Sequence, residues 1–183
     1  MPLNIPSGNT NDISFGPALV KMGVAGTTPS LDVGFISEDG VTLEIANETK
    51  DIVQGNPKLV EYTFSQTQGV NISFTSIEWD FTAFARVLGS GATTVTGTEE
   101  TFMFGGDPLD TSIAIDIQHQ MAVSGNTMNV YVWKAVAAGG LSVPFGADEH
   151  SFEMAFKAQR SATDWAGGTL PSNQQLVKFL RTL

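Results

Sequence analysis

Two runs of alternating side chains follow each other between residues 60 and 75. Apolar side chains occupy every second position of both runs, and polar side chains lie between them. The apolar set is Val60, Tyr62, Phe64, Val70, Ile72 and Phe74, and the polar set is Glu61, Thr63, Ser65, Asn71, Ser73 and Thr75. Because successive side chains of a strand point to opposite faces, the pattern predicts two strands joined by a turn at residues 66–69, with one dry and one wet face.

A helix is predicted directly after this hairpin, over residues 78–88. The segment from Thr75 to Glu78 matches a capping box, and acids in the first turn suit the helix dipole. Gly89 is suited to a left-handed C-terminal cap. The helix is expected to pack against the sheet through Trp79 and an apolar stripe at i, i+3, i+4 and i+7, formed by Phe81, Phe84, Ala85 and Leu88.

Strand signals recur along the rest of the chain without helices between them. They cover residues 16–24, 33–37, 41–46, 102–104, 113–117, 128–136 and 152–156, with a hairpin turn predicted at Glu38-Asp39-Gly40. Residues 47–57 and 90–98 are predicted loops, and residues 172–182 a short amphipathic C-terminal helix. The expected fold is mainly β, a β-sandwich or partial barrel of about eight antiparallel strands. We expect one domain over residues 1–183, with an extended N-terminal arm at residues 1–15.

The charge of the chain is strongly acidic and unevenly distributed. The formal net charge is −10, and the acid excess lies entirely in the first 110 residues, since residues 111–183 carry five bases and five acids. Such a surface repels a phosphate backbone, so tight binding of DNA is disfavoured. The charge is still compatible with a surface past which DNA moves without binding. The N-terminus lacks the features of a secretory signal, no stretch is apolar for long enough to span a bilayer, and we expect no membrane insertion.

Residues with catalytic or ligand-binding chemistry are few. There is no cysteine. His119 and His150 each fall in register with the apolar positions of a predicted strand, and neither has a second histidine at the spacing of a metal-ligand pair. The Gly/Asp-rich segment 105–110 lacks the ligand pattern of an EF-hand, and the adjacent side chains of residues 148–150 diverge on a strand. We therefore expect no catalysis, no metal site and no cofactor. Two rivals stay open: a carbohydrate-binding module using Trp165 or Tyr131, and a hydrolase that assembles a site around His150.

The order of elements resembles that of bacteriophage tail tube proteins, a superfamily that includes type VI secretion tubes. The resemblance rests on the run Gly34-Phe35-Ile36-Ser37-Glu38-Asp39-Gly40-Val41-Thr42-Leu43, on the alternating segment 60–76, and on the acidic-capped helix 78–88. It is strongest over residues 16–90. The resemblance implies hexameric rings that stack into a tube with an acidic lumen, through which DNA passes without specific binding during ejection.

The same resemblance supplies partners, a location and candidate residues. The partners would be tape-measure, tail terminator and baseplate proteins, and a sheath protein is a further candidate partner. The protein would lie in the virion tail after assembly in the host cytoplasm. The candidate lumen-facing residues are Glu44, Glu61, Thr63, Asn71 and Ser73, although the other sheet face is the alternative wall. Segments 47–57 and 1–15 are the candidate ring-to-ring contacts. The tube of a phage-like bacteriocin or of a type VI system is the alternative function.

Overall fold

The computed structural model describes residue 16 and residues 18–89, 91–105, 111–121, 125–145 and 150–182. The predicted arm at residues 1–15 therefore lies outside the described residues. The strands are β1 (Leu19–Val24), β2 (Leu31–Asp32), β3 (Ile36–Gln54), β4 (Leu59–Ser76), β5 (Ala92–Thr96), β6 (Glu99–Met103), β7 (Ile113–Gln120), β8 (Thr127–Ala137), β9 (Phe152–Ala158) and β10 (Val177–Arg181). The described residues also form the α-helix α1 (Phe81–Leu88) and a 3₁₀ turn (Ser172–Gln174).

One eight-stranded antiparallel sheet forms the body of the protein. Its order is β2-β1-β7-β8-β9-β4-β3, with β10 pairing β8 beside β9, while β5 and β6 form a separate hairpin. The two halves of the sheet share one core, with Ile115 and Val132 from one half and Phe74, Phe152 and Phe156 from the other. The prediction of a mainly β fold with about eight antiparallel strands and one helix is confirmed, and the sheet does not close into a barrel.

The predicted hairpins between residues 33 and 75 are wrong. The chain forms instead one long ribbon, in which β3 and β4 pair antiparallel from Val41 with Phe74 to Gln54 with Leu59. The turn signals at residues 38–40 and 66–69 lie within strands, and the predicted loop 47–57 is strand as far as Gln54. Cross-strand hydrogen bonding along the ribbon outweighs these local turn preferences. Residues without a partner in the other strand form bulges or other irregularities in the register.

The helix begins three residues later than predicted, and its cap is a different residue. Asp80 is the N-cap, because its Oδ1 accepts hydrogen bonds from the backbone N–H groups of Thr82 (2.8 Å) and Ala83 (3.1 Å). The predicted capping box is wrong, since Glu78 instead accepts from the N–H of Phe35 through Oε2 (3.2 Å). Gly89 has φ +65° and caps the C-terminus as predicted.

The C-terminal segment is a strand and not the predicted helix. Its strand β10 pairs with residues 128–132 of β8, from Val177 with Val132 to Arg181 with Met128. The side-chain pattern fits a helix as well as a strand, and the unpaired backbone of β8 decides in favour of the strand. The predicted loop 90–98 is likewise partly wrong, because Ala92–Thr96 pairs with β6 around a turn at Gly97, which has φ +65°.

Candidate assembly surface

The distal part of the β3–β4 ribbon extends beyond the body of the protein. Strand β9 covers β4 only between Asn71 and Ser76, so residues 47–68, here called the arm, have no other strand beside them among the described residues. Every residue of the arm is exposed. At about 3.4 Å per residue, the strand segment 47–54 projects roughly 27 Å. A two-stranded ribbon of this kind has little intrinsic stability in water, which favours a partner for it.

Two extra residues in β4 change which side of the ribbon is apolar. Glu48 pairs with Thr67 but Thr49 pairs with Ser65, so Gln66 is an extra residue in β4. An extra residue reverses the alternation of one strand relative to the other. Glu61 is extra in the same way, between the pairs Ile52 with Tyr62 and Val53 with Val60.

The reversal gives the arm one aromatic side, and an opposite side that is polar and hydrogen-bonded near the body but carries the apolar pair Val53 and Val60 near the tip. On the polar side Thr63 Oγ1 donates to Asp51 Oδ1 (2.6 Å), and Ser65 Oγ donates to Asn47 Oδ1. The aromatic side consists of Ile52, Leu59, Tyr62 and Phe64, which are 51%, 63%, 63% and 37% exposed. The rings of Tyr62 and Phe64 stack with centroids 6.5 Å apart. This exposed apolar stripe is a candidate interaction surface.

The five candidate lumen residues do not lie on one face, so the prediction of one continuous wet face is wrong. Glu44 and Asn71 are opposite each other, and Asn71 Nδ2 donates to Glu44 Oε2 (3.3 Å). Ser73 shares this face, which we call the polar face. Thr63 lies on the side continuous with the core, and Glu61 lies at the second extra position. Which of the five faces a lumen stays a prediction.

The polar face carries more acid than base. Across β3, β4 and β9 it presents Glu44, Glu48 and Lys50 from β3 and Glu153 and Lys157 from β9. All five side chains are exposed. Three carboxylates against two ammonium groups leave this face with an excess of one negative charge, which suits it to face a polyanion without adhering to it.

The strand edges that are unpaired within the part of the chain that the structure describes include those of β3 and β10. Strand β3 has β4 on one side and no strand on the other over its 19 residues. Strand β10 has only β8 as a neighbour, and its Phe179 and Leu180 are 51% and 39% exposed. An exposed edge offers a row of backbone donors and acceptors to another chain.

A groove lies at the root of the arm, where β9 ends and β4 and β10 diverge. Its volume is about 640 Å³, and its apolar lining consists of Ile45, Ala46, Val70, Leu176 and Val177. Arg160 and Asn173 lie on its opposite wall. That wall is held in place, since Arg160 Nε donates to Gln175 Oε1 and the N–H of Ser161 donates to the carbonyl of Gln175 (2.9 Å).

The buried face of the helix is rotated by one residue towards the N-terminus relative to the predicted apolar stripe. Phe84 is buried as expected, together with Ala83 and Val87, whereas Phe81 and Leu88 are half-buried. Trp79 precedes the helix and is 44% exposed, although the centroid of its ring lies 4.8 Å from that of Phe152. An apolar cavity of about 450 Å³ lies between the helix, the β5–β6 hairpin and the segment that follows β8.

The aromatic residues of the carbohydrate-binding alternative pack against one another. Trp165 lies 4.8 Å from Tyr131 and 5.1 Å from Trp133 between ring centroids. Trp133 is 5% exposed, and its Nε1–H donates to the carbonyl of Gln174 (2.7 Å). The three rings therefore form a tilted and edge-to-face cluster between the sheet and the loop that precedes β10, and not a flat platform of parallel rings.

One buried carboxyl group lies on the same side of the sheet. Asp116 is 7% exposed, and its Oδ2 accepts from Gln118 Nε2 (2.7 Å), while its Oδ1 is buried without a partner. Burial raises the pKa of Asp116 above its ordinary value, although the hydrogen bond from Gln118 and the charge of Lys21 act in the opposite direction.

The two histidines stay apart from any carboxylate cluster that the structure describes. His119 is half-buried near the end of β7, and the ring of His150 lies 5.6 Å from that of Trp79. Among the described residues no three His, Cys, Asp or Glu side chains come together as metal ligands. The neighbours of His150 at positions 148 and 149, and residues 106–110 of the Gly/Asp-rich segment, lie outside the described residues.

Comparison with known proteins assigns the chain to no family. No model of a protein family matches the sequence, and no curated protein matches it. No helix in the described part of the chain is both long and apolar enough to cross a membrane.

Proposed function

We propose that this protein is the structural subunit of a bacteriophage tail tube, which assembles as stacked hexameric rings around a conduit for DNA. The observation that carries the proposal is the β3–β4 ribbon. It combines a 19-residue unpaired edge with an arm whose aromatic side is exposed. Both features need another protein chain to cover them.

A second copy of the same chain is the simplest partner for such a surface. The subunit offers two different unpaired edges, on β3 and β10, so that one edge of a subunit is available to the other edge of the next. A head-to-tail contact of this kind closes into a ring or continues as a filament. The acids of β3, such as Glu44 and Glu48, and the bases Lys178 and Arg181 of β10 give the two edges opposite charge.

The distribution of charge supports a conduit for DNA. The polar face, with Glu44, Asn71 and Ser73 at its centre, is the part of the ribbon that we assign to the lumen. Its excess of carboxylates repels phosphate, and a repelling wall lets a polyanion move without being held. Thr63 and Glu61 belong to the arm, and we place them at contacts between subunits.

The remaining features of the proposal follow from the resemblance to tail tube proteins. The subunit carries out no reaction and needs no cofactor. Its partners are the tape-measure protein and the proteins that end the tail, and its place is the virion. The tube of a phage-like bacteriocin or of a type VI system uses the same kind of subunit and is the alternative.

Measurement of particle mass over a range of protein concentrations tests the proposal. Six copies of the 19.4 kDa chain weigh about 116 kDa, and stacked rings give multiples of that mass. A protein that stays at 19.4 kDa even at high concentration contradicts the proposal. Binding on a glycan array that is lost in Trp165→Ala would favour the carbohydrate-binding alternative instead.

A further inference from the structure

We propose that the groove at the root of the arm receives the arm of a second copy of the chain. The proposal deepens the proposed function, since it names the contact by which subunits join, but it requires only that the protein self-associates. The side that enters the groove is the aromatic side of the arm, Ile52, Leu59, Tyr62 and Phe64.

The aromatic side of the arm has the form of a prearranged apolar ridge. Tyr62 and Phe64 follow each other on one side of β4, and their rings already stack at 6.5 Å. Ile52 pairs with Tyr62 across the ribbon. Since cross-strand pairing fixes the spacing of these side chains, docking costs little additional ordering of the ridge.

The groove matches this ridge in chemistry and in size. Its floor is aliphatic, with the exposed Ile45 (58%) at its mouth. A volume of about 640 Å³ accommodates several side chains, as ligand pockets of roughly 300–1,000 Å³ do. The hydrogen bonds from Arg160 and Ser161 to Gln175 hold the far wall, so the groove exists before a partner arrives.

The arm that fills the groove must come from another subunit. Asn47 and Gln68 line the groove and are also the first residues of the arm. The paired strands continue from these residues to the turn after Gln54. No residue between 48 and 67 lines the groove, so the aromatic side lies outside the groove of its own subunit. An arm that reaches into the next subunit makes a heterologous contact, which repeats from copy to copy.

The charges of the two surfaces are complementary. The arm carries Glu48, Asp51 and Glu61 against Lys50 and Lys58, an excess of one acid. The described residues that line the groove include Arg160 and no acid. The adjoining strand β10 adds Lys178 and Arg181, also without an acid. Attraction between a weakly acidic arm and a basic rim favours this docking over docking of one arm on another.

Disulfide trapping tests the contact, and the absence of cysteine from the natural chain makes the test specific. Lys50→Cys is placed on the arm beside Phe64, and Asn173→Cys on the exposed wall of the groove. The two variants are purified separately with tags of different mass, mixed at assembling concentration and oxidised. The control mixes Asn173→Cys with Val95→Cys, an exposed position (72%) on the β5–β6 hairpin.

We expect the arm–groove pair to give at least ten times the crosslinked heterodimer of the control pair. Adding Tyr62→Ser and Phe64→Ser to the arm variant is expected to remove most of that excess. Equal yields from both mixtures, or no crosslink at all, overturn the inference. If tubes are present without the crosslink, the inference alone fails, and if the crosslink forms without rings, the proposed function alone fails.

Discussion

The double substitution Tyr62→Ser/Phe64→Ser removes the two aromatic side chains that the arm offers to a partner. An aromatic side chain has roughly 200 Å² of surface, so exposures of 63% and 37% leave about 125 Å² and about 75 Å² to be buried on assembly. At about 25 cal/mol per Å², burial of this surface contributes at most about 5 kcal/mol per contact. Because ordering and desolvation lower that figure, we expect a loss of about 1.5 to 3 kcal/mol, or roughly 10- to 150-fold in the association constant.

The folded subunit itself is expected to tolerate the change. Both side chains project from the arm and contribute nothing to the core shared by the two halves of the sheet. The free energy of unfolding of the monomer is therefore expected to fall by less than about 1 kcal/mol. Chemical denaturation at a concentration below assembly measures this term separately.

Sedimentation velocity over a concentration series is the assay for assembly. Phe35→Ser is the matched control, since Phe35 is 74% exposed but lies outside the arm. The double variant is expected to need at least tenfold more protein than the wild type to form the same particles, whereas the control assembles normally. Assembly of the double variant at the wild-type concentration, or equal impairment of both variants, refutes the assignment of the arm as the interface.

Three further predictions concern the polar face, the buried carboxyl group and the helix cap. Glu44→Lys reverses a charge on the polar face, and we expect it to leave particle mass unchanged but to slow DNA delivery through attraction to phosphate. Glu61→Lys on the arm is expected to impair assembly instead. Normal infectivity of phage carrying Glu44→Lys would show that Glu44 does not face the lumen. Because the pKa of Asp116 is raised in the folded protein above its ordinary value of 3.8, its contribution to stability improves as pH falls through the folded pKa. Asp116→Asn is therefore expected to stabilise the protein at pH 7, with a gain that shrinks towards pH 4, and thermal unfolding that shows the same gain at both pH values contradicts the explanation. Asp80→Ala removes both cap hydrogen bonds of α1 and is expected to cost about 1 kcal/mol in urea unfolding, whereas an unchanged midpoint would show that the cap contributes nothing.

Strand periodicity predicted the core of this fold well. The alternating apolar positions of β7 and β9, and the end of α1 at Gly89, lie where the sequence placed them. In β9 the local pattern and the tertiary burial agree, because one face of the strand packs on the core. Strand β7 is instead buried on both faces, since Ala114 and Asp116 are 0% and 7% exposed.

The ribbon and the C-terminus show where local pattern is insufficient. Residues 66–69 have the composition of a turn, yet β3 supplies partners for Thr67, Gln68 and Gly69. Hydrogen bonding across the ribbon therefore outweighs the turn preference. The side of the ribbon on which Thr63 lies depends on the extra residue Gln66, and alternation read from one strand alone contains no signal for it. The groove depends on where β9 ends, a tertiary feature that no motif in the sequence marks.

Electron cryomicroscopy of the purified protein at assembling concentration tests the central claim most directly. We predict end views with sixfold symmetry around an open channel, side views of stacked rings, and the polar face with Glu44 and Asn71 towards the channel. Particles that are monomeric at every concentration, or closed oligomers in which the arm stays exposed and no channel forms, would contradict it.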